Sequence, residues 1–196
     1  MSLSSSASRF ATTAAATAVL AAALTACGSG TEAGSAPTGD PQPGGTLRYG
    51  LSQAPTCADP AQSGTNQTIY VVRQVVDSLT DQDPATGEIV PWLAESWESN
   101  EDGTQFTFRL KDGVTFSDGT PFTAESVKKN FDAIVNTLGG VKAPSAVGYL
   151  AGYTGTTVVD DRTAQVNFSA PNAPFLQATA TVQLGLLSDA DTAKSA

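Results

Sequence analysis

The residue types that most often carry out catalysis are scarce in this sequence. Its 196 residues include no histidine, which excludes histidine-based catalytic triads, histidine general bases and the commonest zinc ligands. The motifs of serine hydrolases, phosphate-binding loops and dinucleotide-binding folds are also absent from it. Asp160 and Asp161 are adjacent carboxylates, but they lie in a predicted turn without the apolar surroundings that an acid–base pair needs. We therefore expect that the chain is not an enzyme and that it uses no cofactor.

Three carboxylates close together in the sequence suggest a metal site, but their spacing is wrong for one. Asp81, Asp83 and Glu88 would be the ligands of a calcium-binding loop. Such a loop needs an oxygen ligand at its fifth position and glycine at its sixth, and Ala85 and Thr86 stand at these positions. We predict a hairpin turn in this segment and no metal site in the protein.

The two cysteines have different predicted roles. Cys27 ends the run Leu24-Thr25-Ala26-Cys27, which resembles a bacterial lipobox, where the chain is cleaved before the cysteine and its sulfur receives a diacylglycerol. Two acyl chains anchor a protein stably, because each buried CH₂ contributes about 0.8 kcal/mol and a single chain gives only marginal binding. The alternative is an ordinary signal peptide with an incidental cysteine. Cys57 is either a small buried apolar residue or one half of a disulfide whose partner lies outside this sequence.

The segments on either side of Cys27 fit lipidation. Residues 1–26 carry one charge, Arg9, followed by a run of 17 small or apolar residues, which is shorter than the roughly 20 that a membrane-spanning helix needs. We predict a lipoprotein signal peptide over 1–26. Residues 27–44 consist mainly of Gly, Ser, Thr, Ala and Pro, and such a segment cannot bury enough apolar surface to order itself. We therefore predict a flexible linker over 27–44, followed by a folded domain over 45–196.

The charge balance argues against two classes of partner. The sequence holds 10 Lys and Arg against 19 Asp and Glu, a net charge of −9, and loss of Arg9 with the signal peptide would make it −10. Nucleic acids and anionic membrane surfaces repel a strongly acidic chain. We expect no nucleic-acid partner, and contact with the membrane through the lipid anchor only.

The strongest structural signal lies between residues 92 and 138. Phe106, Phe108 and Leu110 alternate with polar residues, which is the period-two pattern of a strand with one buried face. A second strand precedes this one, and turn residues flank both. Thr123 is placed to cap the helix that follows. The apolar stripe of that helix consists of Val127, Phe131, Ile134 and Leu138.

The remaining elements follow from the same rules. We predict a strand at 46–51, a helix at 67–79, an irregular connection at 141–156, a hairpin of 157–159 with 163–168, a short helix starting at Pro174, a strand at 182–187 and a polar tail at 188–196. The buried face of the hairpin would consist of Ala164, Val166 and Phe168. This mixture of strands and helices indicates an α/β fold.

Three segments resemble one known family in their sequence. They are LAESWE at 93–98, FTFRLKDGVTFSDGTPFTAESV at 106–127 and VVDDRTAQVNFSAPNAPFLQAT at 158–179. They are similar to the family 5 extracellular solute-binding proteins, which are the peptide-, dipeptide- and nickel-binding subunits of ABC importers. The resemblance extends from residue 45 to about residue 187.

This resemblance implies a fold and a division into lobes. The α/β fold would be that of the type II periplasmic binding proteins, and this sequence would hold its N-terminal part only. Lobe one would comprise 45–64 and 156–196 and would be incomplete, and 65–155 would form an inserted small lobe. Family members continue through a further lobe, so we expect the 45–196 domain to be truncated.

The resemblance also implies which residues bind the ligand. In family members the first strand of lobe one ends at the ligand cleft, and the corresponding strand here would be 46–51. A sheet of this kind binds ligands at the carboxyl ends of its strands. Ser52, Gln53 and Ala54 follow the predicted strand and are the residues that we expect to bind the ligand.

The function implied is that of the substrate-binding component of an ABC importer. The chain would capture a peptide or a similar small solute outside the cytoplasm and deliver it to ABC permease subunits. It would be lipid-anchored to the cell membrane, on its periplasmic or cell-surface side. Two alternatives are a lipid-anchored signalling or structural protein on the same scaffold, and a non-functional truncated fragment. A secreted hydrolase is disfavoured by the absence of histidine.

The Cys27→Ala variant tests the predicted lipid anchor. It is expected to lose all labelling by radioactive fatty acid and to leave the membrane fraction, because the thiol that accepts the diacylglycerol is gone. The matched control is Cys57→Ala, which should be labelled like the unaltered chain. Labelling that persists in Cys27→Ala would contradict lipidation at this residue.

Overall fold

A computed structural model describes residues 44–195 of the chain. The described residues from 49 onward form one compact unit. Every helix and strand given below lies in the 49–196 unit. The predicted signal peptide over 1–26 and the lipidation site Cys27 lie outside the described residues.

The described elements alternate between short strands and short helices. In chain order they are α1 Asn66–Val72, β1 Thr80–Gln82, β2 Ile89–Pro91, β3 Ala94–Ser99, β4 Gln105–Leu110, α2 Ala124–Asp132, the π-helix Ala133–Leu138, α3 Gly139–Lys142, α4 Pro144–Tyr149, β5 Tyr153–Asp160, β6 Thr163–Phe168, α5 Phe175–Ala178, the 3₁₀ helix Val182–Leu184 and α6 Asp189–Ser195. The strands β1 and β2 form a two-stranded sheet, and β3, β4, β6 and β5 form a four-stranded sheet in that order.

The four-stranded sheet is antiparallel throughout and has one buried face. Phe106 pairs with Val166 and Phe108 with Ala164 across β4 and β6. Alternate residues of both strands are buried, as the period-two patterns predict. The predicted buried face is therefore confirmed for the two central strands. The sheet also joins segments assigned to different lobes, because β5 spans the proposed boundary at residue 156; the lobe boundaries stay a prediction.

Helix α2 and the π-helix cover this buried face. Thr123 has an extended backbone at the N-cap of α2, and its N–H donates to Ser126 Oγ at 3.3 Å. The apolar stripe predicted from the sequence is buried along its whole length, at Val127, Phe131, Ile134 and Leu138. Both the N-cap and the stripe are therefore confirmed.

The short helix α5 completes the core through one aromatic ring. Phe175 is fully buried, and its ring centroid lies 4.7 Å from that of Phe168 and 5.0 Å from that of Phe106. The rings of Phe108 and Phe131 also meet it edge-on, at 6.1 and 6.2 Å. Aromatic pairs favour such edge-to-face contact. Phe175 therefore joins β4, β6 and α2 at one point.

Buried polar contacts join segments that are far apart in the sequence. Thr80 Oγ1 and Thr179 Oγ1 are 2.8 Å apart, and both residues are almost completely buried. Gln183 Nε2 donates to the carbonyl of Ser63 at 3.3 Å. These bonds attach the segment after α5 to the region around α1 and β1.

Two elements predicted near the start of the domain differ in the structure. Residues 46–51 form no strand, and Leu47 and Tyr49 are exposed. A strand requires hydrogen bonds from a neighbouring strand, and residues 49–51 receive none from other described residues. The helix predicted over 67–79 ends at Val72, so the periodic valines beyond it belong to a turn that leaves Val75 exposed.

Three predictions for later segments of the chain also differ from the structure. The 141–156 segment, predicted to be irregular, contains α4 and the start of β5. In the 182–187 segment, predicted as a strand, Val182–Leu184 form a buried 3₁₀ turn, and only Leu186 pairs, with Asp77. The 188–196 segment, predicted as a polar tail, forms α6 over Asp189–Ser195. Hydrophobicity indicated burial of 182–187 but not its backbone form.

One amide side chain holds the last described segment against α2. Asn130 is buried, and its Nδ2 donates to the carbonyls of Ser126 and Leu187, both at 2.9 Å. Its Oδ1 accepts the N–H of Leu187 at 2.9 Å and the hydroxyl of Thr192 at 3.4 Å. Each hydrogen-bonding group of the amide therefore has a partner, and two of these partners are backbone groups of one residue.

The Asn130→Ala variant tests this contact. A buried donor or acceptor left without a partner costs about 1–3 kcal/mol, and the variant leaves both backbone groups of Leu187 without one. We expect the free energy of unfolding, measured by urea titration, to fall by at least about 2 kcal/mol. The control Asn136→Ala, at an exposed position of the π-helix, should change it by less than about 0.5 kcal/mol. Equal effects of the two variants would contradict the role of Asn130.

Gly185 marks a close approach between segments. A Cβ atom added there would lie 2.8 Å from Val76 Cγ2 and 2.9 Å from the carbonyl of Val182. Its backbone conformation is one that any residue adopts, with φ −61°. Space, and not backbone freedom, therefore selects glycine at this position.

The Gly185→Ala variant is expected to lower the free energy of unfolding by about 1–3 kcal/mol, because overpacking forces neighbours to move. Gly140→Ala is the control, since a Cβ at this exposed helical position meets nothing within 4 Å. It should leave stability unchanged or raise it by up to about 1 kcal/mol. Chemical denaturation of both proteins compares them directly, and a neutral Gly185→Ala would refute the close packing.

Candidate ligand-binding site

The predicted ligand-binding residues lie on an exposed loop before α1. Ser52, Gln53 and Ala54 are all exposed. Ser52 Oγ accepts a hydrogen bond from Gln67 Nε2 at 2.7 Å, so the loop is attached to the first turn of α1. The structure therefore leaves these three residues open to solvent, and their role in binding stays a prediction.

A cluster of threonine hydroxyls fixes this loop to the helix. Thr68 is fully buried, and its Oγ1 accepts the N–H of Thr56 at 3.1 Å. The hydroxyls of Thr56 and Thr65 lie 3.2 and 3.0 Å from the same oxygen. Thr65 is the N-cap of α1 and accepts the N–H of Thr68. The loop is thus ordered from its base, although sequence analysis had not singled out these hydroxyls.

Asp83 and Asp160, which were considered as a calcium ligand and as part of an acid–base pair, have structural roles instead. Asp83 Oδ1 accepts the N–H groups of Ala85 and Thr86 at 2.7 and 3.1 Å, which confirms the hairpin turn between β1 and β2. Asp160 accepts the N–H of Arg162 at 2.7 Å and the Thr163 hydroxyl at 2.9 Å. These bonds hold the pKa of Asp160 below its usual range. Both carboxylates therefore stabilise turns.

The described residues offer no metal site and no membrane span. Within 44–195, no three His, Cys, Asp or Glu side chains are grouped to hold a metal ion. No helix in the same range is both long and apolar enough to cross a bilayer. Cys57 is half-buried and forms no disulfide with another described residue. Its Sγ lies 3.9 Å from the carbonyl oxygen of Asp59.

Sequence analysis missed a cleft on the 49–196 unit. The cleft lies between the 74–77, 114–122 and 186–191 segments and encloses about 310 Å³, a size at the lower end of the roughly 300–1,000 Å³ of small-ligand sites. Its apolar lining includes Val76, Leu93, Phe116, Phe122, Leu186 and Leu187. A sequence signal was present, because Phe116 and Phe122 flank the Asp118-Gly119 turn.

Each wall of the cleft is fixed by specific contacts. The 114–122 segment folds back on itself, with Thr115 paired to Pro121 and the rings of Phe116 and Phe122 in edge-to-face contact at 5.7 Å. Arg73 fixes the first wall, because its guanidinium lies 4.1 Å from the centre of the Trp92 ring and donates to Asp81 Oδ1 at 2.9 Å. The third wall is the segment that Asn130 holds.

Comparison with known proteins gives the affiliation of this chain. Residues 88–196 match the family described as "Bacterial extracellular solute-binding proteins, family 5 Middle". The nickel-binding periplasmic protein of Escherichia coli K12 is 39% identical over 87 residues, covering 41% of this chain and 17% of the relative. The probable D,D-dipeptide-binding periplasmic protein DdpA of the same strain is 33% identical over 134 residues, covering 66% of this chain and 25% of the relative.

Solved structures give the same result. The murein tripeptide-binding protein MppA of Escherichia coli is 28% identical, with a TM-score of 0.65, over 74% of this chain and 31% of that protein. A dipeptide-binding protein from Pseudoalteromonas sp. SM9913, in complex with Met-Leu, is 26% identical, with a TM-score of 0.64, over 71% of this chain and 31% of its own. The α/β fold of the type II periplasmic binding proteins, predicted from the sequence, is therefore confirmed.

These relatives are named as binding proteins, and the chain spans a small part of each. The match covers 17% and 25% of the two curated relatives and 31% of the two solved structures. The family match includes more than half of this chain. The chain belongs to the family 5 bacterial extracellular solute-binding proteins.

Proposed function

We propose that this chain acts in solute capture as part of the substrate-binding component of an ABC importer. The observation that carries the proposal is the family match over residues 88–196, together with relatives named for binding a dipeptide, a tripeptide or nickel. The solute would be a peptide or a similar small molecule. Capture would take place outside the cytoplasm and would be followed by transfer to ABC permease subunits.

The proposed contact with the solute is made by Ser52, Gln53 and Ala54. Their exposure supports this role, because a bound solute must reach them without displacing core residues. The attachment to α1 also supports it, since the Ser52–Gln67 bond and the threonine cluster hold the loop in place. A loop that is ordered before binding loses less conformational entropy when the solute arrives.

The proposed location is the outer face of the cell membrane. Relatives are named as periplasmic proteins, which supports a site of action outside the cytoplasm. We further propose that a diacylglycerol on Cys27 anchors the chain and that the 27–44 segment acts as its tether. A tethered protein stays near its permease, which raises its effective concentration there.

Solute uptake by the host organism tests the proposed function. A strain without the gene is expected to lose uptake of at least one labelled solute from a panel of dipeptides, a tripeptide, glutathione and Ni²⁺. The gene supplied in trans should restore this uptake. Unchanged uptake of the whole panel would contradict a role in import.

The Gln53→Ala variant tests the predicted contact within the same assay. It is expected to restore less uptake than the unaltered chain at equal protein level, because it removes the exposed amide that is proposed to contact the solute. Glu101→Gln, at an exposed turn position, serves as the control and should restore full uptake. Full uptake with Gln53→Ala as well would remove Gln53 from the site and leave the importer function standing.

A further inference from the structure

The cleft between the 74–77, 114–122 and 186–191 segments combines an apolar floor with an acidic rim. Leu93, Phe122 and Leu186 are buried beneath it, whereas Val75 at its edge is 73% exposed. Asp77 and Asp191 belong to its lining, and neither lysine nor arginine does. An exposed apolar surface with polar residues around it is typical of an interaction site.

The rim remains acidic after its internal contacts are taken into account. Among residues 44–195, no cation forms an ion pair with Asp77. Asp118 accepts the hydroxyl and the N–H of Thr120 at 2.6 and 2.9 Å, and these bonds hold its pKa below the usual range. Asp191 forms an ion pair with Lys194 at 2.9 Å. Asp77 and Asp191 therefore line the cleft, Asp118 interacts electrostatically with Asp191, and one lysine, Lys194, is paired with Asp191.

The chemistry of the occupant follows from these two properties. An apolar group would remove the cleft floor and Val75 from water, which is favourable in proportion to the area buried. A positive charge beside that group would be attracted by the rim carboxylates, and this attraction is stronger where the occupant displaces water. A free metal ion would interact only with the rim carboxylates, and an alkane would cover only the apolar floor, so an occupant with both an apolar group and a positive charge fits best.

We propose that this cleft is a docking site for a polypeptide partner, and that it takes a segment in which an apolar residue stands next to lysine or arginine. The cleft volume of about 310 Å³ suits two or three side chains of such a segment. This interaction is separate from solute capture at Ser52–Ala54 and does not depend on it.

A second copy of this chain is a poorer occupant than a basic partner. Each copy carries a net charge of −9, and proteins of like charge repel one another. The copy would still offer one candidate segment, because Val141 is 97% exposed and precedes Lys142. Binding to a second copy must therefore be distinguished from binding to a basic partner.

Two blocked peptides test the proposal on the ¹⁵N-labelled chain as purified from expressing cells. The probes are N-acetylated and C-amidated Gly-Val-Lys-Val-Gly and Gly-Val-Glu-Val-Gly. The lysine peptide is expected to shift the backbone amide signals of 74–77, 114–118 and 186–191, and its affinity should fall at least five-fold between 50 and 500 mM NaCl, because salt screens the rim charges. The glutamate peptide should shift none of these signals at the same concentrations.

Matched variants test whether the charge of Asp77 and the apolar side chain of Val75 contribute to binding of the lysine peptide. Asp77→Asn is expected to weaken the lysine peptide at least three-fold, and Val75→Ser should also weaken it through the apolar edge. Glu101→Gln removes the same charge from a distant turn and should leave the affinity unchanged. Folding of each variant is checked by its amide spectrum outside the cleft.

Several outcomes would overturn the proposal. They are equal binding of the two peptides, signal shifts confined to other parts of the chain, and no binding at peptide concentrations up to 10 mM. Shifts at the cleft that grow with protein concentration in the absence of peptide, and disappear in Val141→Ser, would assign the cleft to a second copy instead. The blocked peptide termini keep the result independent of the uptake assay, so either proposal can fail alone.

Discussion

The described fold depends on the buried side-chain amide of Asn130, which gives hydrogen-bond partners to backbone groups that have none in a helix or strand. Between α5 and α6 the chain forms only a short 3₁₀ turn, so most of its backbone N–H and C=O groups there must find partners outside helices and strands. Asn130 supplies two of them to Leu187 and a third contact to Thr192. Because Asn130 lies on α2, the position of that helix on the sheet sets the position of the 186–191 segment. The hydrophobic packing of α2 on the sheet therefore determines the position of the 186–191 segment, which is the third wall of the cleft.

The core and the cleft show two different ways of using aromatic residues. Phe175 is surrounded by four aromatic rings and has no exposed surface, so its contribution is to stability. Phe116 pairs with only one ring in the described structure, that of Phe122, and is half-buried at the cleft. Its remaining surface faces the space between the walls. The chain spans less than a third of the solved relatives it resembles, and surfaces of this kind are where a larger assembly would make contact.

Periodicity predicted the elements that pack on one another locally. The alternation at Phe106, Phe108 and Leu110 and the stripe ending at Leu138 were both sufficient, because burial of one face alone decides such patterns. Residues 182–187 show the limit of this approach, since the segment is mostly apolar and buried but begins with a 3₁₀ turn over Val182–Leu184 and forms no strand. Their backbone follows from Gly185 meeting Val76 and from Asn130 binding Leu187, and neither contact has a local signature in the sequence. The cleft was missed for the same reason, because its walls come from three distant segments. The prediction that Ser52–Ala54 bind the solute came from family resemblance and not from any physical signal in these residues.

Hydrogen bonds in this fold join segments that lie far apart in the sequence. The hydroxyl of Thr80 bonds that of Thr179, which follows it by 99 residues. The carbonyl of Ser63 bonds the side chain of Gln183, which follows it by 120 residues. Phe175 must also arrive before β4, β6 and α2 have a closed core. Contacts of such long range form slowly, because the loop between them must close first. The buried contacts of the early part of the chain therefore cannot be complete until residues near its other end are in place.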